Sequence, residues 1–415
     1  MKSRHFLTLF IGFFIVSSLF AQSPVERVIE YKGKIVDING NIPLSYCNVL
    51  VEGSQQATVT NTDGEFSIKL PAGDETQTLL IRHLGYQNQS VSLKQLRDRN
   101  GLIQLSQVTF QLPQIDVMMG DAPTIVRKMF EKFGDNYPQE IMYMTAFYRE
   151  SIRKNRNYVS LSEAVVDIRK EPYTPFRNDM ARLFKARKQT DYSKLDTLVF
   201  KLMGGPYNNL YLDVVKHPDL VFTNQPFEKY YFSFDGVEWM DERLIYVINF
   251  NHYPNPEEVL YSGKLYIDAE NFALKSAVFD MSFDNPTDAV QLLIRKKPLN
   301  ARVTPLEASY RIDYIEKGGK WYYAYSRIEL GMKINWKRKL FNTNYYATIE
   351  MAMTNRQNDA ADKEIRFRDR LRSDVVISDA AQGFADPDFW GPLNVIEPEK
   401  PIEAAIRKIL KQLED

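Results

Sequence analysis

The chain has 415 residues, too many for one ordinary domain, and two or three are expected. Its 44% hydrophobic and 26% charged content is that of a globular protein. Lysine plus arginine number 53 and aspartate plus glutamate also 53, a balance that argues against a nucleic-acid partner, which needs a basic excess or stripe.

Lys2 and Arg4 precede an apolar run from Phe6 to Phe20 and then Ala21. That is the order of a signal peptide's charged, apolar and cleavage regions. Residues 1–21 are therefore expected to be removed on export; Leu19 is not the ideal small residue before the cut, so the site can shift by a residue or two. No cysteine follows the run, which argues against a lipoprotein anchor. No later segment is long and apolar enough to span a membrane. The mature product is expected to be soluble in the periplasm, working beside the outer membrane. Cys47 is the sole cysteine, so no internal disulfide can form. It reads as a small buried strand residue rather than a nucleophile.

From Val28 to Val117 short β-prone runs alternate with turns: Gly33-Lys34-Ile35-Val36-Asp37, Asn39-Gly40, Asn48-Val49-Leu50-Val51, Asp63-Gly64-Glu65-Phe66 and Leu84-Gly85-Tyr86. Gly33, Gly40, Gly53, Gly64 and Gly85 each read as ending a run. The pattern predicts a small antiparallel sandwich of about seven strands. Asp37, Asn39 and Asn41 lack calcium-loop spacing, since Gly40 comes fourth and position twelve is Asn48, so they read as turn residues. The segment closely resembles the carboxypeptidase-regulatory-like domain of exported Bacteroidetes proteins. That resemblance implies an immunoglobulin- or transthyretin-like sandwich, with Phe66 as a core anchor and Asp63 bonding its own turn. In the family the module often precedes an outer-membrane receptor or follows a zinc carboxypeptidase. The zinc chemistry is not expected here: His83, His217 and His252 are isolated, and none has a glutamate three residues on.

Residues 120–374 form a second expected domain. Asp121 is a good N-cap for a helix that turns Ile125, Val126, Met129, Phe130 and Phe133 to one face, with Gly134 stopping it. Period-two alternation follows in Phe232/Phe234, Tyr246/Ile248/Phe250, Leu265/Ile267, Ala277/Phe279/Met281, Tyr310/Ile312/Tyr314, Trp321/Tyr323/Tyr325 and Tyr345/Ala347/Ile349/Met351/Met353. With Asp235-Gly236 and Lys317-Gly318-Gly319 read as turns, this predicts a long, twisted antiparallel meander. Between Asp196 and Pro218 two short helices are expected: Leu198 to Met203, broken at Gly204-Gly205-Pro206, and Leu210 to Val215. They read as packing on the sheet or as a lid over it, with packing favoured. Tyr261-Ser262-Gly263-Lys264-Leu265-Tyr266-Ile267-Asp268 followed by Leu274-Lys275 resembles the hairpin of periplasmic lipoprotein-carrier and lipoprotein-sorting-like half-barrels. Phe147-Tyr148-Arg149-Glu150 and Glu163-Ala164-Val165-Val166 resemble Bacteroidetes proteins that join these two domains. Longer members continue into a C-terminal β-barrel, which is not expected of this chain. The carrier resemblance implies a lipid, a lipoprotein or an outer-membrane protein as partner.

No Gly-x-Ser-x-Gly elbow or phosphate-binding glycine loop occurs. Ser151-Ile152-Arg153-Lys154 matches Ser-x-x-Lys, but on a strand running into the Asn155-Arg156-Asn157 turn, so it reads as chance. No catalytic, cofactor-binding or metal-ligating residue is assigned, and no cofactor is expected. Paired carboxylates for glycan hydrolysis stay open as an alternative, as does glycan binding by the many aromatics. Asp268 reads as structural, accepting the turn amides of Ala269 to Asn271. In the tail, residues 375–415, Phe389 and Trp390 should pin the segment to the sheet. Ile402, Ala405, Ile406, Ile409 and Leu413 outline a last amphipathic helix. The expectation is thus a mainly β, non-enzymatic periplasmic binding or assembly protein of the cell envelope: a sandwich, then a curved half-barrel with a few helices.

Overall fold

The computed structural model describes residues 27–414 apart from 74–75, 109–120, 175–176, 191–204, 223–224, 241–242, 255, 295–299, 338–341, 358–363, 373–385 and 387. The expected export segment, residues 1–21, and the expected helix at Leu198 to Met203 lie outside the described residues.

Seven strands come first: β1 (Val28–Asp37), β2 (Asn48–Val51), β3 (Ala57–Val59), β4 (Glu65–Pro71), β5 (Thr78–Arg82), β6 (Gln89–Ser92) and β7 (Leu102–Leu105), with helix α1 (Leu93–Asp98) before the last. They make two sheets, β4-β1-β7 and β3-β2-β5-β6. Ile35, Phe66, Ile68 and Ile103 of one sheet meet Val49, Val51, Leu79 and Ile81 of the other in a single core. This is the expected sandwich. Cys47 is fully buried in it, and burial pushes its thiol up to about 12.

Four details differ from the sequence reading. The sandwich is not wholly antiparallel: α1 carries the chain from one sheet to the other, and β7 pairs parallel to β1. Gly33 does not end a run. It lies inside β1, where a Cβ would come 2.5 Å from the Phe66 ring and 2.9 Å from the Gly101 carbonyl, so its role is close packing. In the Asn39-Gly40 turn it is Asn41 that adopts positive φ, at 50°, which asparagine tolerates. Asp63 does not serve its own turn. Asn61 Oδ1 accepts from the Asp63 and Glu65 amides at 3.0 and 2.9 Å, and Asp63 Oδ2 instead accepts from the Lys400 amide at 3.1 Å.

Helices α2 (Ala122–Glu131) and α3 (Phe133–Asn136) follow. The Asp121 side chain caps α2 by accepting from Thr124 N–H. The helix ends at Glu131, and Gly134 sits within α3 rather than terminating the run. Next come β8 (Met142–Lys154), β9 (Asn157–Lys170), β10 (Met180–Thr190), α4 (Pro206–Tyr211), α5 (Asp219–Phe222), α6 (Pro226–Lys229), β11 (Tyr230–Met240), β12 (Arg243–His252), β13 (Tyr261–Asp268), β14 (Leu274–Met281), α7 (Pro286–Leu293), β15 (Ala301–Lys317), β16 (Lys320–Trp336) and β17 (Thr343–Gln357). These ten strands form one curved, unclosed sheet in the order β10-β9-β8-β17-β16-β15-β14-β13-β12-β11.

Strands β10 and β11 are neighbours in sequence but occupy opposite edges, so the connection between them must cross the sheet. Its helices bury Leu210, Val221 and Phe222 against one face, together with Ile125, Val126 and Met129 of α2 and Ala289, Val290 and Leu293 of α7. The second mid-chain helix is displaced from Leu210–Val215 to Pro206–Tyr211, because Pro206 has the φ and the missing N–H suited to a first helical position.

Asp235-Gly236 is a bulge rather than a turn: Phe234 pairs with Ile248 and Gly236 with Val247, leaving Asp235 extra. Gly318 and Gly319, at φ 60° and 78°, do form the β15–β16 hairpin turn. A second bulge corrects the Trp321/Tyr323/Tyr325 face. Tyr323 pairs with Tyr314 and Tyr325 with Asp313, so Ala324 is extra. The one-residue slip sends Tyr325 to the opposite face from Trp321 and Tyr323.

On that outer face Phe147, Val165, Tyr325 and Ala352 meet Val59 of the sandwich and Trp390 and Ile396 of the tail. Trp390 packs edge-on to Phe147 at 5.6 Å, as expected of the pin. The tail also bonds the sandwich: Asn394 Oδ1 accepts from the Lys69 amide at 2.6 Å, and Lys69 Nζ donates to the Gly391 carbonyl at 2.6 Å. Helix α8 (Lys400–Glu414) then packs Ile402 on Leu161.

Candidate functional site

The face crossed by α4 and α5 is not filled completely. Between it and helices α4, α5 and α7 lies a cavity of about 420 Å³, within the roughly 300–1,000 Å³ range of small-molecule pockets. Its floor comes from alternate residues of β8, β13 to β17: Tyr148, Tyr261, Phe279, Tyr310, Leu330 and Ile349. Its cover comes from Tyr207, Tyr211, Leu212, Leu220, Leu292 and Leu293. Phe279 stacks on Tyr310 at 5.2 Å and meets Tyr261 edge-on at 5.5 Å, which holds that part of the floor rigid.

One carboxyl stands in this mainly apolar lining. Glu150 shares the inward face of β8 with Tyr148, because residues two apart on a strand point the same way. Tyr148 Oη donates to Glu150 Oε2 at 2.9 Å. Loss of solvent pushes the Glu150 carboxyl above its ordinary range, opposed by the Tyr148 hydrogen bond and the charge of Lys188. Among the described lining residues Glu150 is the single carboxylate, whereas glycoside hydrolysis uses two.

Glu150 and Tyr148 stand in the sequence phrase Phe147-Tyr148-Arg149-Glu150, yet they received no role there. The available signal was alternation. Arg149 faces the other way, where it is neutralised by Glu163 at 2.8 Å and Glu350 at 3.1 Å. That leaves the acid at 150 in phase with the apolar residues.

Beside the cavity is a second polar cluster, fully buried. Lys170 Nζ donates to Asp179 Oδ2 and Asp213 Oδ2, each at 2.6 Å. Tyr173 and Tyr314 hydroxyls each donate to Asp213 at 2.7 Å, and Lys216 pairs with Asp179 and donates to the Glu171 carbonyl. Burial alone would raise the Asp213 carboxyl; Lys170, Tyr173 and Tyr314 outweigh it and hold it low. With its lone pairs occupied, Asp213 fastens the turn after α4 to β9 and β15.

The remaining sequence candidates are not brought together. His83 lies beside Tyr86 at 5.2 Å, and burial with Arg311 and Lys275 lowers its imidazole to about 4. His217 lies against Tyr211, and His252 Nε2 is 3.7 Å from Asp284. Among the described residues no group of three or more His, Cys, Asp and Glu could hold a metal ion. Ser151 and Lys154 lie on β8 as expected, and their odd spacing turns them to opposite faces. Asp268 is fully buried at the end of β13, and its Oδ1 accepts from the Glu270 and Asn271 amides at 2.9 and 3.0 Å. No described helix is long and apolar enough to cross a membrane.

No curated protein matches the chain. Solved structures that are similar include a LolA superfamily protein from Nitrosomonas europaea and a DUF1329 family protein from Desulfovibrio piger. The first is 13% identical with a TM-score of 0.24, over 59% of this chain and 96% of that one. The second is 11% identical with a TM-score of 0.26, over 58% and 95%. Likenesses this loose fix neither a ligand nor a reaction. Residues 31–117 match the family model of the CarboxypepD_reg-like domain.

Proposed function

We propose that this is an exported, non-enzymatic binding protein of the cell envelope, which holds an apolar or lipid-bearing ligand between its curved sheet and the helices that cross it. The observation that carries the reading is the cavity of about 420 Å³, walled mainly by leucine, isoleucine, methionine and aromatic side chains, with Glu150, Asn208 and Asn209 as its few other polar groups. Such a mainly apolar lining favours an acyl chain over a sugar, most of whose hydroxyls would lose water without gaining a partner. In this reading residues 28–117 are a docking module, 120–374 the ligand-holding domain, and 375–415 the tail that ties them. Lys2, Arg4 and the run from Phe6 to Phe20 support export to the periplasm, with an outer-membrane protein or lipoprotein as partner.

The test is to express the whole chain in its own type of cell, fractionate, sequence the N-terminus and extract the purified protein with organic solvent. The expected result is a periplasmic protein beginning near Ala21, with acyl-chain species released in about stoichiometric amount. A protein beginning at Met1, or one that releases no lipid and hydrolyses envelope glycans, overturns the reading.

A further inference from the structure

The cavity is not uniformly greasy. Its one carboxyl, Glu150, is partly buried on the floor and has a single hydrogen-bond partner among the described residues, the Tyr148 hydroxyl. That bond occupies Oε2, and Oε1 remains as an acceptor. Purely hydrocarbon cargo gains nothing from a carboxyl here, and the wall bears the cost of keeping it from water. A carboxylate-headed cargo would meet like charge. A hydrogen-bond donor with positive charge would satisfy Glu150 at its open oxygen, beside Tyr148.

Resting on the reading that this cavity holds an apolar chain, the geometry points to a cationic amphiphile as its ligand: a long alkyl chain with a primary ammonium head, the chain among Leu212, Leu220, Leu293, Leu330 and Ile349 and the head on Glu150. Gly205 opens α4 beside this pair; a Cβ there would lie 3.9 Å from the Tyr148 hydroxyl.

The experiment measures, by calorimetry below their micellar concentrations, the binding of dodecylammonium, dodecanol and dodecanoate to delipidated full-length protein, and to its Glu150→Gln and Leu330→Trp variants. Glu150→Gln keeps an acceptor for Tyr148 and the side-chain shape while removing the charge. The expected order for the native protein is ammonium tightest and carboxylate weakest. Glu150→Gln should weaken dodecylammonium by about ten- to a hundredfold, the worth of a charge-assisted hydrogen bond, and leave dodecanol nearly unchanged, which also shows that the variant is folded. Leu330→Trp should weaken all three. If the three bind alike and Glu150→Gln changes none of them, the assignment of the head fails while the apolar cavity stands. If none binds, the cavity reading fails and this inference with it.

Discussion

The ring of Tyr46, in the loop before β2, lies 5.5 Å from the ring of Tyr325 on the outer face of the large sheet, nearly parallel to it. Arg311 and Arg327 approach the Tyr46 ring at 4.9 and 5.7 Å. Tyr46 makes this contact from a backbone φ of 62°, unfavourable for a residue with a Cβ. The clamp between the sandwich and the sheet is thus assembled at a local conformational cost.

Two substitutions separate the parts of that clamp. Tyr46→Ala removes the ring and keeps the strain; Tyr46→Gly removes both. Both should destabilise the sandwich–sheet contact, and Gly should be the milder by about 1 kcal/mol. Urea unfolding of the pair measures the difference. An alanine variant as stable as the native protein would mean that the ring contact contributes nothing.

At the β13–β14 turn, Asp268→Asn should cost little, since the amide oxygen still accepts from Glu270 and Asn271. Asp268→Ala should cost about 1–3 kcal/mol, because two turn amides lose their acceptor. Equal costs in chemical denaturation would show that the carboxylate charge facing Arg243 matters more than the turn bonds.

Much of this fold is legible in the chain, and the misreadings have a common cause. Strand alternation found the meander because an inward set of apolar residues is enforced by burial on every strand. Bulges are invisible to alternation: the extra Ala324 turns Tyr325 away from Tyr323, and the extra Asp235 makes a bulge where Asp-Gly reads as a turn. Either side chain can close the turn after Asn61, and Asn61, not Asp63, does so. What decided it was the Lys400 amide, 337 residues away in sequence. The cavity depends on how α4, α5 and α7 seat on the sheet, a long-range matter, so only the in-phase acid at Glu150 was there to be read.

The Lys170–Asp179–Asp213–Lys216 cluster gives a third prediction. Asp213→Asn leaves Lys170 with one fewer counter-charge in a buried site and should cost about 3–5 kcal/mol. Because Asp213 fastens the turn after α4, the amides of 206–222 should lose protection before those of the sheet. Hydrogen exchange followed by mass spectrometry measures this. Uniform loss across the chain would show that the cluster serves global stability alone.

His83 supplies a pH dependence. Its folded value of about 4 lies below the ordinary value of 6.5, so between those two values the unfolded chain binds a proton that the folded one refuses. Stability is therefore expected to fall as pH drops from about 6.5 to 4. His83→Gln should flatten that part of the melting-temperature profile. An unchanged slope would assign the acid lability to other groups.

The central claim, that the space between the sheet and its crossing helices is a ligand site, is tested most directly by native mass spectrometry of protein purified from its own type of cell, beside its Leu330→Trp variant. The account predicts a bound species with an acyl or alkyl chain on the native protein, and a folded variant that carries none. A native protein that carries nothing, or a Leu330→Trp variant that carries the same species in the same amount, would contradict it.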